Sequence, residues 1–527
     1  MTTNAKGGLL LLGCAAAAGC ADARQELAGS RPNILIAIAD DQSFPHAGAY
    51  GCPWVATPAF DRIAAEGILF DNCYTPNAKS APSRACLLTG RNSWQLEEAG
   101  NHIGFWPDGK YPTFFEALAG NGYYAAFTGK GWAPGNPGTK DGKPRRLTGV
   151  PYQKRKATPP TPKISDTDYA ANFKEFLVSK PAGKPWVFWY GSREPHRAYA
   201  YRSGVTQGGK SLSDIDAVPG SWPDCDTVRN DMLDYAYEIE HFDAHLGAML
   251  ALLEEAGELD NTIVVVTADN GMPFPRCKGF EYEYSNHLPL AVMWKKGVRN
   301  AGRTAEQYVS FIDLAPTFLR LAGVDAESCG MEPAGREITD LLADEPLHDR
   351  SHILLGQERH DYGRPQNQGY PIRSVLQDGW LYIRNFKPAL WPAGNPETGY
   401  LNTDGSPTKT VLLNARRCGQ DTGLWQLSFG KRPAEELYRI AGDRECLHDL
   451  AGDPAHAERK ERMKRLLLEE LRRQQDPRVC GDGDVFDRYP FYKPECADFY
   501  ERYMNGEIPA YQTGWANRSD YETGKFD

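Results

Sequence analysis

Continuous apolar runs, and apolar residues at helical spacing, divide the chain into an ordered series of elements. Residues 32–39 (PNILIAIA), 123–128 (YYAAFT), 186–190 (WVFWY) and 261–268 (NTIVVVTA) are short apolar stretches bounded by polar residues. Stretches of this length predict strands buried on both faces of an α/β sheet, although periodicity alone does not separate such a run from a buried helix. Ile239, Phe242, Leu246, Met249, Leu250 and Leu253 recur at helical intervals and predict an amphipathic helix over 232–255 packed on that sheet, with His241 and His245 as surface or packing residues. Met463, Leu467 and Leu471 predict a long helix over 455–474, and DGWLYI at 378–383 a turn and strand. A further helix starts at Ser80, which reads as its N-cap, with Pro82 in the first turn. Its free N–H groups share space with the Ser80 hydroxyl, so an anion could be held beside a nucleophile; an ordinary capped helix has the same pattern.

The chain's 527 residues, 41% hydrophobic and 24% charged, are enough for a large core and two domains. A net charge of −10 excludes a general nucleic-acid binder, so any anionic substrate must be met by local cations. Residues 1–20 read as a leader, with Lys6 before an apolar stretch and lipoprotein-like boxes ending at Cys14 and Cys20. The ten later cysteines form no CxxC pair, which argues against structural zinc. In an exported protein Cys480 and Cys496 are the expected disulfide, because a Gly/Asp/Pro-rich loop separates them.

Candidate chemistry gathers at the ends of the apolar runs. Asp40 and Asp41 follow the first, and Asp269, Asn270 and Gly271 follow the last. One acidic pair at a strand end reads equally well as a capped turn. Two such ends supply four hard oxygen ligands without sulfur or imidazole, a set suited to Ca²⁺, with Mg²⁺ as the alternative, rather than Zn²⁺. Lys130 and His196 follow the other two runs, and each taken alone reads as a solvated or structural residue. Residues 133–163 form a long Pro/Gly-rich loop whose Arg145, Arg146, Lys154 and Arg155 could recruit a polyanionic glycan.

Ser80-Ala81-Pro82-Ser83-Arg84, followed by Leu88-Thr89-Gly90-Arg91, resembles the sulfatase signature. The resemblance covers nearly the whole chain after the leader and implies an alkaline-phosphatase-like mixed β-sheet flanked by helices, with a smaller C-terminal α+β domain. It implies that Ser80 is oxidised to formylglycine (3-oxoalanine) by an anaerobic sulfatase-maturating enzyme and that Arg84 holds the hydrate. Asp40, Asp41, Asp269 and Asn270, with the oxygen at position 80, become the metal ligands. Lys130 becomes a sulfate contact and His196 the proton donor to the leaving group. One departure stands out: sulfatases carry Gly-Lys-x-His where this chain has Gly129-Lys130-Gly131-Trp132, and indole transfers no proton, so another base serves or turnover is impaired.

Met272-Pro273-Phe274-Pro275-Arg276-Cys277-Lys278 is most similar to the heparan N-sulfatase branch, which makes Lys278 a further sulfate contact and Arg276 the competing choice. His287 lies where a substrate contact fits, and Gln357-Glu358-Arg359-His360-Asp361, which again resembles that branch, is a polar loop that could read sugar hydroxyls, with Glu358 and His360 as candidate contacts. The implied division is a catalytic domain over 28–375 and a C-terminal subdomain over 376–527 with an antiparallel sheet and the long helix. The implied activity is release of N- or O-sulfate from sulfated glycans such as heparan sulfate, in the bacterial periplasm or on an outer-membrane lipoprotein anchored through Cys14 or Cys20. Two alternatives remain: a phosphate or phosphonate monoester hydrolase using unmodified Ser80, disfavoured because no histidines accompany the acidic motifs for a two-zinc site, and a silent lipoprotein that binds sulfated glycans.

Overall fold

Strand Asn33–Ala39 sits at the middle of the molecule with all seven residues buried, as its unbroken apolar sequence requires. Each Ile and Leu side chain there contributes about 1.5–3 kcal/mol relative to exposure. The computed structural model describes residues 24–509, 512–513 and 515–523, so the leader with Cys14 and Cys20 lies outside the described residues.

On one side the central strand pairs in parallel with Thr262–Ala268, and on the other with Trp186–Gly191, which in turn pairs in parallel with Tyr124–Gly129. Antiparallel His287–Met293 joins Thr262–Ala268 to Ile68–Tyr74, which completes a mixed sheet of nine strands with short pieces at its edges. Helices Pro58–Ala65, Tyr169–Ser179 and Asp226–Glu255 pack as one group, and Ser80–Thr89, Phe114–Gly120 and Leu314–Ala322 as another, flanking the sheet. The helix expected over 232–255 starts six residues earlier, at Asp226.

A second, antiparallel sheet runs His352–Gln357, Ile372–Gln377, Trp380–Asn385, Glu435–Arg439. Helix Ala457–Arg473 covers it, burying Met463, Leu467 and Leu471 against Val375, Tyr382 and Leu437. The sheet therefore begins before the boundary expected at 375, which falls inside its second strand. The expected Cys480–Cys496 disulfide is absent: both are free, Cys480 exposed and Cys496 buried in an aromatic cluster with Phe491 and Phe499.

Strand register places the chemistry. Ala39 pairs with Ala268, Ile38 with Gly191 and Gly129 with Gly191, so four parallel strands end at one level. The residues that follow them, Asp40-Asp41, Asp269-Asn270, Lys130 and the turn to His196, leave from the same edge, where α/β sheets bind ligands. Two of these ends nearly touch: a Cβ on Gly129 would lie 1.9 Å from the Gly191 carbonyl oxygen, and one on Gly191 equally close to that of Lys130. Glycine is required at both positions.

Candidate active site

Helix Ser80–Thr89 brings its first residue to this edge, with the whole helix buried and a left-handed Gly90 ending it. Ser80 is the first helical residue, and extended Lys79 is the cap, which corrects the N-cap expectation. The hydroxyl turns away from the helix because it has polar partners elsewhere. It accepts from Lys130 Nζ at 3.0 Å and lies 3.2 Å from Asp40 Oδ1 and 3.4 Å from Asn270 Oδ1.

Around it the expected ligand residues interlock. Arg84 Nε donates to Asp269 Oδ2 at 2.9 Å, and its Nη2 lies 3.4 Å from Asp40 Oδ1. Lys130 Nζ donates to both Asp40 oxygens at 2.7 Å, and Lys278 Nζ bridges Asp41 Oδ2 (2.7 Å) and Asp404 Oδ2 (3.2 Å). Asp269 Oδ1 also accepts from the backbone of Asp41 and Asn270, which helps hold Asp41 in the left-handed region at φ 76°. Burial alone would raise the Asp40 carboxyl, but Lys130 and Arg84 outweigh it and hold it well below the ordinary range. Burial would likewise lower the Lys278 ammonium, and Asp404 and Asp41 outweigh that and raise it.

The donor set fits a hard divalent cation. Oxygens of Asp40, Asp41 and Asp269 lie within 4.8 Å of one another, all buried, with the Asn270 amide beside them. Asp40, Asp41, Asp269, Asp361 and Asp404 are five carboxylates, and Lys79, Arg84, Lys130 and Lys278 are four cations, so five minus four leaves one negative charge in excess. A divalent ion held there would reverse that sign and favour an incoming anion.

Ser80, Asp40, Lys130, Lys278 and His196 line a cavity of about 710 Å³. His196 Nδ1 donates to its neighbour's carbonyl, Arg197 O, at 2.6 Å, and its Nε2 lies 3.8 Å from Asp41 Oδ2. Trp132 is not in the lining. Its Nε1 donates to the Ala81 carbonyl at 2.9 Å and its ring packs edge-on against Trp106, so the indole clamps the start of the Ser80 helix.

Four expected substrate contacts are corrected by their surroundings. Arg276 lies over the Tyr282 ring and donates to the carbonyls of Leu427 and Cys446. His287 stacks on Phe44 and Tyr74 while bonded to Glu283. Glu358 is consumed by Arg373 and Arg478. His360 is buried on Asn77. None of the four lines the cavity. Arg145 and Arg155 also face elsewhere, paired with Glu116 and Glu175.

The opposite wall is built from residues that no sequence motif singled out. Asp361, one residue past His360, pairs with Lys79 at 2.6 Å and with His102 Nδ1 at 3.2 Å, and all three line the cavity with Asp404, Lys493 and Trp515. Burial lowers the His102 imidazole despite Asp361, so it is neutral at pH 7. Asp361 sits in a polar loop already marked for sugar contact, but the direction of each side chain there is set by tertiary packing. Asp404 and His102 lie in segments with no local signal.

A family model described as Sulfatase matches residues 32–324. Human N-sulphoglucosamine sulphohydrolase is 26% identical over 500 residues, covering 89% of this chain and 95% of that protein. N-acetylglucosamine-6-O-sulfatase of Bacteroides thetaiotaomicron is 28% identical, covering 62% of this chain and 74% of that protein. A solved complex of another protein with its substrate D-glucosamine-2-N,6-O-disulfate superposes with a TM-score of 0.61 at 20% identity, covering 86% of this chain and 99% of that one.

Proposed function

The chain belongs to the sulfatase family, and on that premise we propose that it hydrolyses N- or O-sulfate groups of glucosamine units in sulfated glycans such as heparan sulfate. The observation that carries the reading is the Ser80 hydroxyl held by Lys130 Nζ at 3.0 Å beside Asp40 and Asn270, at the floor of a cavity wide enough for a sugar. The glucosamine substrates named for the human and Bacteroides relatives support the substrate class.

Formylglycine at position 80 would supply the attacking oxygen as a hydrate, and Ca²⁺ held by Asp40, Asp41, Asp269 and Asn270 would supply Lewis-acid polarisation of an S–O bond. Arg84 fixes the orientation of Asp269 and Asp40. Lys130 and Lys278 present ammonium groups to charge developing on the sulfate oxygens. Because His196 Nδ1–H is spent on the Arg197 carbonyl, Nε2 is the atom that carries a proton to the departing oxygen or nitrogen. Lys79, His102 and Asp361 order the wall against which the leaving sugar rests.

The accompanying proposals are maturation of Ser80 by an anaerobic radical enzyme, export to the periplasm or outer membrane through Cys14 or Cys20, and a catalytic unit followed by a C-terminal subdomain. Mass spectrometry of the peptide SAPSR from native cells tests the central one. Loss of two hydrogens at Ser80, together with sulfate release from a panel of heparin disaccharides, is expected; an unaltered serine with no release refutes it.

A further inference from the structure

The cations at the cavity floor are already paired. Lys130 holds Asp40, Lys278 holds Asp41 and Asp404, Lys79 holds Asp361, and Arg197 makes a two-pronged pair with Asp231 at 2.7 and 2.8 Å. At the mouth the pattern reverses. Lys163, Arg193 and Lys493 line the same cavity, and none has a carboxylate within 4.0 Å among the described residues. Lys163 and Arg193 are exposed and Lys493 is half-buried with its Nζ 5.6 Å from the Tyr492 ring, so all three remain open to an incoming group.

The acids of the mouth make their contacts elsewhere than with these three cations. Asp166 is held by Lys156 at 2.8 Å, and Glu194 is bonded to Ser165 N, Tyr169 Oη and Ser192 Oγ. Glu238 is buried, and burial with Glu194 nearby pushes its carboxyl well above the ordinary range. In a chain with an acidic excess of ten, three cations without a carboxylate partner, from three distant segments, converge on one opening. Low-dielectric walls focus such a field into the cavity. Trp515 lies in the same lining, its ring fixed by a hydrogen bond from Nε1 to Leu401 O at 3.0 Å, and offers an apolar face to a sugar ring.

We infer that the mouth is a second anion subsite, formed by Lys163, Arg193 and Lys493 around Trp515, which binds a further sulfate or carboxylate on the glycan whose sulfate is removed at the floor. The preferred substrate is therefore at least doubly charged. The inference rests on the sulfatase reading of the Ser80 site and deepens it by fixing the charge class of the substrate.

Steady-state kinetics of the wild type, Lys163→Ala, Arg193→Ala and the double variant are compared on glucosamine N,6-O-disulfate and on whichever monosulfate is turned over. Each exposed cation contributes about threefold, so the double variant is expected to raise KM for the disulfate roughly tenfold. Its kcat, and its KM for the monosulfate, stay at the wild-type value. An unchanged KM on both substrates overturns the subsite, and so does an equal rise on both, which would reflect general attraction of anions. Calorimetric binding of the disulfate and monosulfates reads the same contrast without turnover. Wild-type protein that discriminates between them in binding and releases no sulfate would refute the proposed reaction and uphold the subsite.

Discussion

Replacing Asp269 by asparagine removes one charge from the floor of the cavity with little change of shape. Asp269 is fully buried, accepting through Oδ1 from the backbone of Asp41 and Asn270 and through Oδ2 from Arg84 Nε at 2.9 Å. An asparagine keeps the first two bonds and faces Arg84 with a donor. The cost is one charge-assisted bond, about 1.5–3 kcal/mol. Alanine would remove all three and leave the buried Arg84 Nε without its carboxylate, at about 3–5 kcal/mol, a large part of a typical total stability. Asp269→Asn should therefore fold and is the informative variant. Calcium at a hundredfold excess over its dissociation constant stabilises a site that binds only the native state by about 2.7 kcal/mol. Thermal melts with and without calcium, with metal content by mass spectrometry, are expected to show that rise for the wild type and none for Asp269→Asn, with turnover lost. Uptake of calcium by the variant with wild-type affinity, or full activity of metal-stripped wild-type protein, would refute the ligand assignment.

Lys130→Met removes the main partner that holds Asp40 below its ordinary value of 3.8. A carboxyl with a depressed native pKa gives stability that is complete above its unfolded value and is lost as pH falls through the native one, so the variant's acid-unfolding midpoint should move to higher pH and its kcat drop at least about a hundredfold. An unmoved midpoint would contradict the pairing. Trp132→Phe loses only the bond to the Ala81 carbonyl, so stability should fall by about 1 kcal/mol while kcat/KM stays within about threefold; a hundredfold loss would give the indole a chemical task. Glu358→Gln weakens the buried contacts to Arg373 and Arg478, so urea denaturation should show a lower midpoint with an unchanged KM, and a raised KM would return Glu358 to the substrate site.

The parts of the site that were legible in the sequence are those carried by strand ends. An apolar run followed by Asp40-Asp41 or Asp269-Asn270 states both the strand and the side on which its polar residues emerge, because the register of parallel neighbours aligns their ends. Lys278 was separable from Arg276 only in space: two residues apart, one reaches Asp41 and the other an aromatic ring. The far wall was illegible for the same reason. Glu358, His360 and Asp361 are near neighbours in one polar loop, yet they point at Arg373, Asn77 and Lys79, and nothing local distinguishes them. Cys480 and Cys496 illustrate the reverse error, where a plausible spacing met two separate environments.

The backbone crossing at Gly129 and Gly191 welds the lysine arm to the histidine arm. Lys130 N bonds Gly191 O at 2.7 Å, and the Lys130 carbonyl is gripped in turn by Trp189 and Arg84. In the proposed reaction, charge neutralisation of the incoming group by Lys130 and proton delivery by His196 would both be set by this single joint. Drift at this joint would detune both halves of the reaction together, so selection can adjust neither one alone.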